Sequence, residues 1–365
     1  MPRTTIFIAA GEPSGDAHAA RLMEQLRLFI PDVMFEGIGG PAMEMQGLRS
    51  MARMKDLAVS GFWEVAKRYG YFRALLERCS RHIASSRPAA FIPVDYPGFN
   101  LRLASSARRA GVPVAWYIAP QLWAWGRKRA SALAQRTSLL LTVFPFETDF
   151  FSQFGIRTTW VGHPLLDDPM FAELPNHNST TLALFPGSRR QELSYHVPLL
   201  QGVLPLLDTA VQPVVAVAPG CDVAAVQPLV DAGASVVYDS RALLSSAGAG
   251  LIKAGTSTLE ATLLGLPFAT FYRTSALSYM LSRRMATVTS VTMANILLQR
   301  NAVAEYLQSE ATPQVLAAAV HTVFADRGHR EALREVSTDV RSMLGGPGAS
   351  RRAAEAIATM VERRR

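Results

Sequence analysis

The chain has 365 residues, 49% of them hydrophobic, a formal net charge of +8 and two cysteines. This length suits two domains of similar size, with apolar residues enough for two cores. No apolar run is long enough to cross a bilayer, Cys79 and Cys221 lack disulfide-framework or zinc spacing, and the opening MPRTTIFIAAGEPSGD reads as a first strand and not a signal peptide, so a cytoplasmic protein is expected.

The first predicted strand, TTIFIAA (4–10), leads into EPSGDAH, which opens a helix. Gly11 and Gly15 permit a tight turn there, and Ser14 or Asp16 can cap the helix. Helix N-termini attract anions, so Glu12, Ser14 and Gly15 form a candidate acceptor or phosphate loop; a plain capped turn is the alternative. The spacing is not the dinucleotide fingerprint GxGxxG. The second strand, MFEGIG (34–39), closes on GIGGP, either a turn or a place where a ligand approaches the backbone.

Segment 61–82 interleaves Phe62, Trp63, Tyr69, Tyr71 and Phe72 with Lys67, Arg68, Arg73, Arg78 and Arg81. It is either a core helix or an interfacial membrane helix. Aromatics on both sides of Gly70 cannot all face one sheet at helical periodicity. Phe62, Trp63, Tyr69 and Phe72 are therefore candidates for contact with a membrane or with acyl chains.

The third strand, AAFIPVD (89–95), delivers Asp95 to a Tyr-Pro-Gly turn. Asp95 either starts the turn and caps the next helix, or holds a base at a ligand site. From Leu101 to Phe146 there is no Asp or Glu, while Arg102, Arg108, Arg109, Arg127, Lys128, Arg129 and Arg136 all occur, a bias that points to an anionic partner. Strands PVAWYIA, SLLLTVF and TTWVGH follow. Trp123 and Trp125, ahead of GRKR, are core residues or stacking surfaces for sugar, base or membrane interface. His163 in VGHP reads as a turn residue, and DDPMFAELPNHNSTT (about 165–179) as a linker.

In the second half, TLALFPG, PVVAVAP, SVVYDS, AGLIKAG and LPFATFY again alternate with helices. The fold class is α/β, two doubly wound parallel-sheet domains facing across a cleft, with ligands at the C-terminal ends of strands. FPGSRRQE (185–192) sets Gly187, Ser188 and Arg189 at a helix start. A capping arrangement accounts for Ser188 and Glu192. It does not account for paired arginines at the positive end of a helix dipole, which suit a bound diphosphate gripped by guanidinium and backbone N–H groups. In KAGTSTLE, Gly255 and Thr256 make a similar turn, and Glu260 one turn later can take both hydroxyls of a ribose; a capped helix remains the alternative. No histidine spacing indicates a metal, and neither metal nor cofactor is expected.

Taken in order, AGEPSGD, GIGGPAM, DLAVSGFWEV, VDYPGFN, YIAPQLWAW, FPFE, VGHP, PGSRRQE, GTSTLE and NILLQ resemble the lipid-A-disaccharide synthase family, inverting transferases that join two acylated glucosamines. The resemblance implies a GT-B architecture without a catalytic metal. An acceptor and membrane-side domain would span 1–165, with a C-terminal helix at about 346–365 packing back on it, and a UDP-sugar domain 166–345. The donor would be UDP-2,3-diacylglucosamine and the acceptor 2,3-diacylglucosamine 1-phosphate, met at the inner-membrane surface by a peripheral protein, with a homodimer left open. Asp95 carries over as base, and Arg189, Glu260 and Asn295 as donor contacts. Ala119, Ala254, Met293 and Ala294 depart from the residues the resemblance expects. Rival readings are another UDP-sugar transferase or epimerase, a membrane scaffold, and a basic nucleic-acid binder. No nucleic-acid-binding signature supports the last, so no nucleic acid is expected as partner.

Overall fold

The computed structural model describes residues 3–57, 68–218 and 221–363. The chain divides into two compact units, one made of Met1–Asp168 with Leu344–Arg365 and the other of Pro169–Met343.

The first unit is built on β1 (Thr5–Ala10), β2 (Met34–Ile38), β3 (Leu48–Ser50), β4 (Ala90–Val94), β5 (Ala115–Tyr117), β6 (Leu139–Thr142) and β7 (Thr158–Trp160). All pairings are parallel, in the order β3-β2-β1-β4-β5-β6-β7. Strands covered on both faces read as unbroken apolar runs. In β1, Ile6, Ile8 and Ala10 face one way, packing with Leu22 and Leu26 of helix Pro13–Phe29 and with Ala353 and Ile357 of helix Ala349–Glu362. Phe7 and Ala9 face the other way, onto Leu75, Cys79 and Ile83 of helix Tyr69–Ser86 and Leu103 of helix Pro97–Arg109. Helix Ala349–Glu362 is fastened by the Asp167 carboxylate, which accepts from the N–H groups of Gly348 (2.6 Å), Ala349 (2.9 Å) and Ser350 (2.7 Å). A carboxylate there satisfies orphan donors and complements the dipole.

The second unit carries β8 (Thr181–Phe185), β9 (Gln212–Ala216), β10 (Ser235–Val237), β11 (Ala249–Lys253), β12 (Phe268–Tyr272) and β13 (Glu305–Leu307). Its order is β10-β9-β8-β11-β12-β13, again parallel. The expected doubly wound fold is present in both units. The three-residue edge strands β3 and β13 were not predicted: LRS and EYL are too short to show a period. The linker reading is also revised, because Phe171 and His177 are buried. His177 Nδ1 lies 2.7 Å from the Ala247 carbonyl and Nε2 lies 2.9 Å from that of Leu264.

In each sheet the chain reverses its direction of travel beside the first strand, between β1 and β4 and between β8 and β11. Ligands of such sheets bind beyond the strand ends at this switch point. The four segments leaving those strands are AGEPSGD, VDYPGFN, PGSRRQE and AGTSTLE. Topology thus singles out the same segments as the motifs.

Candidate active site

In the first unit, β4 ends at Val94, and the next two residues both take left-handed backbone, Asp95 at φ 45° and Tyr96 at φ 49°. For residues with a side chain each such conformation costs about 1–3 kcal/mol and persists only where its surroundings enforce it. Here the Asp95 N–H donates to the Tyr117 carbonyl (3.2 Å), and Asn100 Nδ2 donates to the carbonyls of Asp95 (2.8 Å) and Ala9 (3.2 Å). Asn100 is wholly buried. The Tyr96 ring lies over Gly11, where a Cβ would come within 2.5 Å of ring carbons. Gly11 is therefore required by a residue 85 positions away, in addition to its own turn.

Asp95 does not cap helix Pro97–Arg109; Tyr96 occupies that position, and no side chain caps there. Burial pushes the Asp95 carboxyl up to about 6, the charge of Glu12 adds to this, and a hydrogen bond from the Tyr96 N–H opposes it. Such a group exchanges a proton near neutral pH.

Glu12 and Ser14 are exposed on the neighbouring turn, and Gly15 is buried against Ala10 and the Val94 carbonyl. Asp16 does not cap its own helix. Its carboxylate accepts from the N–H groups of Gly40 (2.7 Å), Ala42 (3.0 Å) and Met43 (3.2 Å), capping helix Pro41–Met45 instead. A Cβ on Gly40 would lie 2.6 Å from Asp16 Oδ2, so this glycine of GIGGP admits a carboxylate of the protein itself.

The sequence reading missed Glu147, although it lies in the quoted FPFE. It is fully buried and accepts from Trp123 Nε1 (2.9 Å) and the N–H groups of Val143 (3.0 Å) and Phe144 (3.1 Å). Burial lifts its carboxyl to about 7 against the pull of those three donors, and the charge of Asp95 contributes to the rise. Trp123 is thereby a buried partner of Glu147, whereas Trp125 is exposed. His163 is a turn residue as read: Nδ1 accepts from the Leu165 N–H (3.2 Å), and burial holds its pKa down at about 3.

In the second unit, Gly187 (φ 115°) turns the chain after β8, and Arg189 stands at the N-cap of helix Arg190–Val203. Ser188 and Arg189 are exposed, but their N–H groups point to Glu192 Oε2, at 3.3 and 3.5 Å. The grip read from the sequence is corrected accordingly: a carboxylate of the protein meets these N–H groups, and the exposed Arg189 guanidinium lies 3.9 Å from the other oxygen of the same Glu192. Lys253, at the end of β11, lies 3.1 Å from Glu192 Oε1. Burial pushes the Glu192 carboxyl up, but Lys253 and then Arg189 outweigh it and hold the group below its usual range. Sequence reading passed over Lys253, the first residue of the quoted KAGTSTLE. His196 donates from Nδ1 to the Pro186 carbonyl (2.6 Å) and accepts at Nε2 from the Arg273 N–H (3.0 Å), a tautomer assigned from these partners.

Gly255 and Thr256 are exposed at the start of helix Thr256–Leu263. Glu260, one turn on, accepts at Oε1 from Arg241 Nε (3.2 Å) and Nη2 (3.1 Å), so its carboxylate is held by a cation. Asn295 requires correction. It is buried, Nδ2 donates to the Val303 carbonyl (2.9 Å) and Glu305 (2.8 Å), and Oδ1 accepts from the N–H groups of Ala302 and Val303 (both 2.8 Å). Its hydrogen-bonding capacity is saturated within the protein; it braces the segment before β13 and has nothing left for a ligand.

Of the aromatic candidates, Phe62 and Trp63 lie outside the described residues. Tyr69 is exposed. Phe72 is half-buried and packs against the core cluster that contains Phe7 and Phe91. Among the described residues no helix is long and apolar enough to cross a membrane, and no three His, Cys, Asp or Glu side chains group as metal ligands.

The whole chain superposes on a putative UDP-N-acetylglucosamine 2-epimerase from Listeria monocytogenes with a TM-score of 0.67, at 10% identity and covering 98% of that chain. CalG4, the calicheamicin glycosyltransferase, gives 0.61 at 17% identity, covering 100% of this chain and 99% of that one. Twin doubly wound sheets with motifs at both switch points thus define a GT-B protein, the architecture of glycosyltransferases and sugar-nucleotide epimerases. The family is more specific. The chain belongs to the lipid-A-disaccharide synthetase family, whose model matches residues 6–360. It is 37% identical over 374 residues to the lipid-A-disaccharide synthase of Anaeromyxobacter dehalogenans, covering 98% of each chain. It is 32% identical to that of Myxococcus xanthus, covering 98% of this chain and 97% of the other.

Proposed function

We propose that the protein transfers 2,3-diacylglucosamine from UDP to the 6-hydroxyl of 2,3-diacylglucosamine 1-phosphate, with inversion, forming the β-1,6 disaccharide of lipid A and releasing UDP. The first unit takes the acceptor and the second the UDP-sugar. Asp95 removes the acceptor hydroxyl's proton as its oxygen bonds to the anomeric carbon. The bond from that carbon to the diphosphate breaks, and UDP departs with the electron pair. Arg189, with Lys253 behind it, supplies positive charge for the departing diphosphate. The turn at Gly255 and Thr256 lies against phosphate, and Glu260, oriented by Arg241, accepts from the ribose. Acyl chains keep both substrates at the inner membrane, and the enzyme meets them there peripherally.

The observation that supports this reading most is the Asp95 carboxyl, forced into a left-handed kink at the switch point with its pKa raised to about 6. Asp95→Asn tests it. UDP binding should stay within about twofold while transfer falls by ~10² or more. Transfer retained by the variant overturns the assignment. Conversion of the UDP-sugar to its epimer without acceptor, with UDP still attached, favours an epimerase.

A further inference from the structure

The helix Ala276–Met285, which follows β12, buries none of its ten residues. It is nonetheless apolar: Leu277 is 71% exposed, Met280 63%, Leu281 58% and Met285 56%. Their spacing places them along one stripe. Ser275 Oγ caps the helix by accepting from the Ser278 N–H (3.2 Å), so its start is set locally. Arg283 and Arg284 stand in its last turn, and from Ala261 to Ala304 the sequence contains no Asp or Glu. The root of the helix is also tied to the turn that carries Arg189. The Arg273 N–H bonds to His196, which bonds the Pro186 carbonyl.

We propose that this helix is a bilayer-contact element of the sugar-nucleotide unit. Its Leu and Met side chains enter the acyl region of an anionic leaflet while Arg283 and Arg284 meet lipid phosphates. The inference rests on the transferase reading only for its purpose, to hold the Arg189 turn near a donor whose acyl chains lie in that leaflet. The chemistry of the surface selects the occupant. An apolar stripe on a helix that buries none of its residues, ending in two arginines, suits an anionic leaflet better than one substrate chain. Two copies meeting through this face would bring four arginines together without a carboxylate in the segment, whereas an anionic surface complements them.

The test uses the full chain and vesicles of phosphatidylcholine with phosphatidylglycerol, without substrates. Leu277→Ser/Met280→Ser/Leu281→Ser and, separately, Arg283→Glu/Arg284→Glu should each weaken vesicle binding by roughly tenfold to thirtyfold. UDP affinity and melting temperature should not change, because no core side chain is altered. Wild-type binding should fall with added salt. Vesicle binding equal to wild type in the folded variants overturns the proposal. So does a rise in KM for detergent-dispersed donor with vesicle binding intact, which assigns the stripe to a substrate chain. A dimer that the triple variant dissolves, again with vesicle binding intact, assigns it to a second copy. If the triple variant fails to fold, the arginine pair decides. Absence of transfer by the wild type overturns the enzymatic reading and leaves this binding result standing.

Discussion

At Asp95 the same burial that prepares a proton acceptor also opposes folding. Its pKa rises from the ordinary 3.8 to about 6, so the native state holds this proton more tightly than the unfolded chain does. The protonated group's advantage is complete below about 3.8 and is lost as pH rises through about 6. At pH 8 the carboxylate thus costs about 3 kcal/mol, and Asp95→Asn should melt a few degrees higher than wild type there, with the gain vanishing near pH 4. Calorimetric scans at the two pH values check this; equal melting at pH 8 means that the carboxylate is better solvated than its surroundings imply. In the wild type the acidic limb of kcat/KM should lie near pH 6. Asn100 holds the kink, and Asn100→Ala leaves the buried Ala9 and Asp95 carbonyls without it. A loss of about 1–3 kcal/mol in chemical denaturation is expected, with transfer falling and UDP affinity unchanged. How much of this could be read beforehand differs by residue. Asp95 was legible because a strand end and a Pro-Gly turn isolate it. Its strain was not, since left-handed backbone at Asp and Tyr leaves no mark in composition. Glu147 and Lys253 escaped because burial of a charged group depends on partners distant in sequence. Asn295 was over-read: its residue type suits a ligand, but the neighbouring backbone saturates it.

Among elements, the long central strands are legible as apolar runs and the helices between them as amphipathic stretches, whereas short edge strands lack the length to declare themselves. Glycine-rich turns show a different limit. Gly11 reads as freedom to turn, but its tightest constraint is the Tyr96 ring. Gly11→Ala should displace that ring and with it the kink. Transfer should fall at least ~10-fold while UDP binding holds, since close packing leaves an added methyl nowhere to go. Steady-state rates beside UDP calorimetry separate this from general unfolding. The cap on helix Ala349–Glu362 is testable as an element. Asp167→Ala leaves three N–H groups without their acceptor and should cost about 1–2 kcal/mol. Hydrogen exchange should quicken first in this helix and in its packing partner Pro13–Phe29; protection unchanged in both would show the helix held by its apolar face alone.

Across the molecule, acidic residues are absent from two long stretches, Leu101–Phe146 in the first unit and Ala261–Ala304 in the second. A cationic bias present in both units fits the phosphorylated, membrane-held substrates proposed. It would not by itself have separated them from nucleic acid; that distinction came from the ordered motifs and the family they define. The return of the chain to its first unit has a consequence for synthesis. Ala353, Ile357 and Val361 complete the core that surrounds Ile6, Ile8 and Ile92, and they follow the whole of Pro169–Met343 in the chain. As the polypeptide leaves the ribosome, the second unit is finished while the first still lacks a wall. The order of completion is then the reverse of the order of translation. Nascent chains arrested with residue 343 just outside the exit tunnel should yield a protease-resistant core from 169–343 and a digestible 1–168. Release of the full chain should protect both, so until then the exposed sheet face of the first unit is where a chaperone would be needed.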